Sequence, residues 1–206
     1  MKTRERIVEV AIRLFNAEGI NAVGVREIAR TLGISPGNLS YHFPRKEDLL
    51  VEMLTRVTAG NDRHFQKFRE GRPSCESFLQ VMEQVFRNQY RYRGIFLAQE
   101  EMRRIFREFY DYRAVEKRRK DFLREFFADL VAAGELKAEA GELAFLGAFT
   151  GFLGRFWILE AFFTQDDRSE DEAVRHYLGM LAWQLHLLAT QAGKKGLEKY
   201  LPYLQA

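Results

Sequence analysis

Residues able to carry out covalent or metal chemistry are sparse in this chain of 206 residues. The four histidines, His42, His64, His176 and His186, lack the spacing of metal ligands, and Cys75 is the only cysteine. That composition excludes an intrachain disulfide and a thiolate zinc cluster, and it fits a reducing cytoplasm. No Ser-His-Asp set, phosphate loop or close carboxylate pair with supporting context stands in the sequence. An enzyme is therefore not expected, and neither is a metal or a cofactor. What the chain offers instead is hydrogen-bonding chemistry at helical spacing, in the stretch GISPGNLSYHF.

At about 100° per residue, a helix over 36–43 gathers Leu39, Phe43 and Pro36 on one side. Tyr41, Gly37 and Asn38 fall opposite, flanked by Ser40 and His42. This outer face is short, polar and mostly uncharged, which suits close entry into the major groove of DNA. Asn can pair bidentately with adenine, while Tyr and Lys are common phosphate partners. The bland alternative is a small surface helix with no special role. Just before it, VREIARTL supplies Ile28 and Ala29 as a buried edge, and Gly33 can take positive φ at a helix end. Ser35 suits an N-cap and Pro36 a first helical position, so the pattern is two short helices and a tight turn, a helix-turn-helix.

From about Arg4 to Leu50, through LFNAEGINAVGVREIARTLGISPGNLSYHFPRKEDLL, the chain resembles the TetR family of bacterial transcriptional regulators. The resemblance covers about a quarter of the sequence. It implies an all-α fold, with an N-terminal helix-turn-helix DNA-binding head (1–48) on a larger helical ligand-binding and dimerisation body (49–206). It also implies a homodimer that binds a double-stranded operator and a small-molecule effector. By match to the family's pattern, Tyr41 and Lys46 are expected at phosphates, and Asn38 and Ser40 at base edges. The expected DNA-contacting set is Arg26, Ser35, Gly37, Asn38, Ser40, Tyr41, His42, Arg45 and Lys46. Three positions depart from the pattern: Gly24 replaces a frequent Thr cap, Ser40 a frequent aromatic, and Arg45 a frequent Ser or Asn cap. The net charge of +3 and pI near 9.0 allow an anionic partner without demanding one.

About nine helices position these residues, at roughly 3–18, 26–32, 36–43, 46–69, 74–92, 95–103, 105–133, 140–163 and 171–191. The four prolines fall at plausible boundaries, and no alternating β-branched run argues for a sheet. Gly71–Ser74 and Ala133–Gly134 read as turns, and polar Thr164–Ser169 as the link between the last two helices. The amino-terminal MKTRERIVEVAIRLF mixes charge into its apolar positions, unlike a signal peptide.

The most apolar stretch is LAFLGAFTGFLGRFWILEAFF, Leu143–Phe163. Arg155 and Glu160 interrupt it, leaving an uncharged run too short to span a bilayer, which needs about 20 residues. On a helical wheel, Ala144, Gly147, Gly151 and Gly154 form a bare stripe, and Phe145, Phe149, Phe152, Phe156 and Phe163 gather opposite. The stripe allows close helix approach and is expected to meet a second subunit, with the Phe wall facing its own interior. Residues 171–191 become apolar on nearly all sides, so Tyr177, Leu181, Leu185 and Leu188 join Ala144 and the three glycines in the expected dimer interface. The alternative is that both helices simply fill one monomer's core.

The Phe wall raises the question of an effector. Phe86, Gln89, Phe109, Tyr112, Glu116 and Arg119 are expected to line an aromatic cavity with Phe149, Phe152 and Phe156. The competing reading pairs Glu116 with Arg119 on a solvent-reaching part of their helix. The function expected is a cytoplasmic DNA-binding regulator, a repressor released from a palindromic operator by a small, largely apolar ligand. Control by a protein partner is the alternative.

Overall fold

The computed structural model describes residues 2–164 and 168–204. Among them are eleven α-helices and one 3-10 turn, with no strand beyond a lone antiparallel bridge between Leu136 and Ala189. The helices are α1 (Thr3–Glu18), α2 (Val25–Leu32), α3 (Pro36–His42), α4 (Lys46–Arg69), α5 (Cys75–Arg91) and α6 (Arg93–Leu97). There follow α7 (Gln99–Glu108), α8 (Tyr112–Ala132), α9 (Ala140–Thr164), α10 (Glu170–His186), α11 (Gln191–Leu197) and the 3-10 turn Leu201–Leu204. The all-α class expected from sequence holds, but the count rises from about nine. The expected helix 105–133 is broken at Phe109–Asp111, where Phe109 leaves the helical region (φ −132°) and closes α7. Apolar spacing runs through this break unchanged, so periodicity does not register it. Of the expected link Thr164–Ser169, residues 165–167 lie outside those described. Ser169 begins α10 with a capping box, accepting the Glu172 N–H while Glu172 Oε2 accepts the Ser169 N–H at 2.8 Å.

The chain forms two compact units: Met1–Ala59 with Gln89–Tyr112, and Gly60–Asn88 with Arg113–Ala206. In the first, Ile7, Val8, Ala11, Ile12 and Phe15 of α1 are buried with Ile28 and Ala29 of α2 and with Leu49, Leu50 and Met53 of α4. Ile95, Met102 and Ile105 bring α6 and α7 into the same core. The contact of α6 with α1 is a backbone contact. A Cβ on Gly94 would sit 2.5 Å from the Phe15 carbonyl oxygen. Asn16 locks the junction, its Nδ2 donating to the Arg91 carbonyl at 2.8 Å and its Oδ1 accepting the Gly94 N–H at 2.8 Å.

The second unit is built on rings. Phe78 stacks on Phe126 (4.8 Å between centroids), Phe65 lies 4.3 Å from Phe122, and Phe86 lies 4.9 Å from Trp157. Cys75, fully buried, gives its backbone N–H to Glu135 Oε2 at 3.0 Å. Burial, with Glu135 adding to it, pushes its thiol up to about 12.

Helix α9 has the length and composition of a membrane span, but it packs here through Leu146, Thr150, Leu153, Trp157 and Ile158. The expected division of faces is therefore not the one observed. Gly151 and Gly154 lie on the buried side, while Phe145, Phe152 and Phe163 are exposed and Phe149 and Phe156 half-buried. A helix with large apolar residues on every side gives no preference between faces, and here the aliphatic and Trp stripe fills the protomer's own core. The expected interface residues Tyr177, Leu181 and Leu185 of α10 are likewise buried within the protomer. Tyr177 meets the Trp157 ring of α9 at 5.3 Å, and the other side of α10, at Gly179 and Trp183, is covered by the segment after α11. The 3-10 turn lies against α10 so closely that a Cβ on Gly179 would come 2.6 Å from the Leu204 nitrogen, and Trp183 Nε1 donates to the Leu201 carbonyl at 3.2 Å.

One charged cluster interrupts this apolar unit. Glu116 of α8 accepts from Arg119 on its own helix, from Arg155 Nη2 of α9 at 2.7 Å, and lies 3.4 Å from Lys120 Nζ. Burial alone would raise the Glu116 carboxyl, but Arg119, Arg155 and Lys120 outweigh it and hold it below the usual carboxylate range.

Two expectations follow from this packing. Gly94→Ala gains up to about 1 kcal/mol of helix propensity but forces a methyl against backbone, an overpacking cost of about 1–3 kcal/mol, so urea denaturation should show net destabilisation. Glu116→Gln leaves two guanidinium groups facing each other and should cost about 1–2 kcal/mol at neutral pH, less than for a fully buried pair because Lys120 and part of Arg155 reach solvent. A carboxyl depressed in the folded state stabilises above its unfolded pKa and loses that contribution as pH falls through the folded value. The gap between Glu116→Gln and the parent protein should accordingly close on acidification below the ordinary carboxylate range.

Candidate functional site

In the first unit, α2 ends on Gly33 in the left-handed conformation (φ 71°). The Ile34 N–H then bonds the Ala29 carbonyl at 3.0 Å, and the chain turns at once into α3. Ser35 caps α3, its Oγ accepting the Asn38 N–H at 3.1 Å, and Pro36 takes the first helical position. Leu39 and Phe43 are buried and anchor this seven-residue helix. Its other side carries Gly37, Asn38, Ser40 and Tyr41, all exposed, with His42 half-buried. Tyr41 is 83% exposed, its ring edge-on to His42 at 5.2 Å, which leaves the phenol free to meet an external partner. Arg26, on the first turn of α2, is exposed as well.

The two cations at the start of α4 behave differently. Arg45 is exposed but holds Asp48 through two contacts, Nη2 to Oδ1 at 2.8 Å and Nε to Oδ2 at 3.3 Å, with its guanidinium 5.1 Å from the Phe109 ring. Its hydrogen bond to Asp48 raises the guanidinium further and lowers the carboxyl. Asp48 Oδ2 also accepts the Arg45 N–H at 3.0 Å, the returning half of a capping box whose forward half Arg45 has no side-chain acceptor to make.

Lys46 is the correction. Its Nζ donates to the Ile20 carbonyl and, at 2.7 Å, to the Val23 carbonyl, and lies 5.5 Å from the Phe15 ring centre. Burial lowers its pKa, against smaller opposing effects of Glu101 and Glu47. The ammonium expected at a phosphate is here engaged with the protein's own backbone, because carbonyls of the α1–α2 loop point at the start of α4. Sequence spacing gave no hint of this, nor of Arg4, whose guanidinium lies 4.8 Å from the Phe43 ring and 2.8 Å from Glu52.

Of the expected effector residues, Arg119 lines an open cleft of about 480 Å³ in the second unit, with Phe65, Arg69, Arg118 and Phe122. Glu116 is its ion-pair partner, as in the competing reading, but the two side chains are largely buried rather than on a solvent-reaching part of the helix. Phe86 and Gln89 are buried, and Phe109 and Tyr112 are half-buried in the first unit. Phe152 faces outward and Phe149 and Phe156 are only half-buried, so the three do not form the inward wall expected of them. Among the expected interface residues, Ala144 is exposed and Gly147 and Leu188 are half-buried. Among the described residues no cluster of His, Cys, Asp or Glu could hold a metal ion.

Residues 7–53 match the family model for bacterial regulatory proteins of the tetR family, and residues 59–200 match a model described as bacterial transcriptional repressor. An HTH-type transcriptional regulator of Staphylococcus aureus (strain USA300) is 34% identical over 80 residues, 39% of this chain. The alignment spans only 43% of that relative's length. Among solved structures, a TetR-family transcriptional regulator from Marinobacter aquaeolei VT8 superimposes with TM-score 0.86 at 22% identity, covering 98% of this chain and 99% of the other. The ketosteroid transcriptional regulator KstR2 of Mycobacterium tuberculosis gives TM-score 0.72 at 17% identity, covering 92% and 96%. The SmeT–triclosan complex gives TM-score 0.69 at 16% identity, covering 92% of each chain. A two-helix DNA-reading motif, an all-helical second unit and family models matched across both make this chain a member of the TetR family of bacterial transcriptional regulators.

Proposed function

We propose that the protein is a cytoplasmic, homodimeric repressor that leaves a palindromic operator when a small, largely apolar molecule binds its C-terminal helices. The observation that carries this reading is α3 itself, a capped helix with its apolar side buried and Asn38, Ser40 and Tyr41 presented outward. Arg26, Ser35, Gly37, His42 and Arg45 complete the DNA-contacting set, the Ser35 hydroxyl accepting as the cap while keeping its proton to donate. Residues 1–48 then serve DNA, and residues 49–206 serve the effector and the second subunit.

The small-molecule half draws on similarity of fold. One structural neighbour is a complex with triclosan, and another is described as a ketosteroid regulator. In this chain the cleft between the second half of α4 and α8, with Phe65 and Phe122 beside Arg118 and Arg119, is the place to look for binding. Helix α4 runs from Lys46 to Arg69 without interruption, so a displacement at its effector end is carried to its DNA end. Two recognition helices must meet grooves about 34–36 Å apart, and an effector that favours a different spacing disfavours the complex.

The second subunit is assigned to the exposed side of α9. Phe145, Phe152 and Phe163 form an apolar surface of the kind that a partner covers, with Ala144 and Leu187 as further exposed apolar residues. The same surface supports the second reading, control by a protein partner, if a copy of the chain does not occupy it.

Two measurements test this. Selection of duplexes from fragmented genomic DNA by the purified protein should enrich a palindrome, and Tyr41→Ala should lose that enrichment while melting at the parent temperature, since Tyr41 contributes little to the core. Enrichment indifferent to Tyr41 would remove α3 from the interface. Phe152→Glu should convert a dimer into a monomer by light scattering. A dimer that survives it would leave the aromatic surface to another protein.

A further inference from the structure

We infer that Lys46 is a positioning residue of the DNA-reading unit: its ammonium fastens the α1–α2 loop to the start of α4, and so fixes the angle at which α3 is presented, without itself touching phosphate. The loop is anchored by burial of Ile20 and Val23, but neither of its ends carries a capping side chain. It leaves α1 through Gly19 in a positive-φ conformation (82°) and enters α2 through Gly24, which has no side chain with which to cap the helix. Ile20 and Val23 are buried, and the carbonyls of these two residues are the ones that accept from Lys46 Nζ.

Two of the three ammonium donors are therefore committed, and the Phe15 ring lies beside the same nitrogen. Charge-assisted hydrogen bonds of this kind are among the stronger ones available to a surface unit. Since α2 issues directly from this loop and is joined to α3 by the short turn Gly33–Ser35, the position of the loop is passed on to the recognition helix. Arg45, next in the chain, is exposed and turned toward Asp48, so the neighbouring cations divide into one that faces outward and one that faces inward.

This role rests on the DNA-reading function proposed above, and the wild-type arm of the experiment decides that function separately. The full-length protein, Lys46→Met and Lys46→Arg are titrated against a duplex selected by the wild type from a random pool, and against an unselected duplex of equal length, at several salt concentrations. Active fractions are set by stoichiometric titration. Loss of the clasp should weaken binding to the selected duplex by about tenfold, leave binding to the unselected duplex at the wild-type value, and leave the slope of log affinity against log salt unchanged. Lys46→Arg keeps the charge but replaces a compact ammonium with a longer planar group, so it should lose selectivity in the same way and serves where Lys46→Met folds poorly. A phosphate contact behaves otherwise: Lys46→Arg would bind like the wild type, and Lys46→Met would weaken both duplexes together and lower the slope by about one per protomer. That result overturns the proposal, as does unchanged selective binding by Lys46→Met. A wild type that selects no duplex overturns the DNA reading and this role with it.

Discussion

A helix of two turns does not persist in water on its own, because the cost of nucleating it exceeds what so few hydrogen bonds return. Everything the first unit presents to a partner therefore depends on burial of Leu39 and Phe43 from α3. They are received by a core that α1, α2 and α4 build together, and to which α6 and α7 add Ile95, Met102 and Ile105. The polar face of α3 is placed by apolar residues on its other side and by neighbours far along the chain. The Gly94 contact and the two Asn16 hydrogen bonds belong to the same arrangement, since they hold the later segment against α1 with no side chain between the backbones.

The charge of this unit is organised as internal structure before it is offered outward. Arg4 is paired with Glu52, Arg45 with Asp48, Arg91 with Glu9 and Arg104 with Glu47. Surface pairs of this kind contribute little stability each. Their larger effect is on the field: cations already neighboured by carboxylates steer DNA less strongly than free ones. On the function proposed above, discrimination would rest on the uncharged donors and acceptors of Asn38, Ser40 and Tyr41, whose value depends on being held at the right angle.

What the sequence made legible was local. Gly33, Ser35 and Pro36 each act within a few residues, through a positive φ, a hydroxyl cap and a fixed ring, so the turn between α2 and α3 could be read before any coordinates. The charge pairing of Glu116 with Arg119 was legible for the same reason, three residues along one helix. The face of α9 was not, because Phe, Leu and Trp occur around its whole circumference and periodicity has no contrast to work with. Nor was the cover of α10 from two sides within one protomer, by Trp157 of α9 at Tyr177 and by a backbone approach at Gly179 that no spacing rule encodes. The backbone partners of Lys46 were out of reach for a similar reason. Its family position suggests a phosphate, while its actual acceptors are carbonyl oxygens 23 and 26 residues earlier.

Cys75 lies at zero exposure with its thiol held far above neutrality. The thiolate is the form that reacts with alkylating and oxidising agents, and here it is both rare and inaccessible. The chain's only thiol is thus a silent one. A cysteine introduced at an exposed site could carry a spin label or fluorophore without a competing background, opening the distance between α3 helices in the proposed dimer to direct measurement in solution.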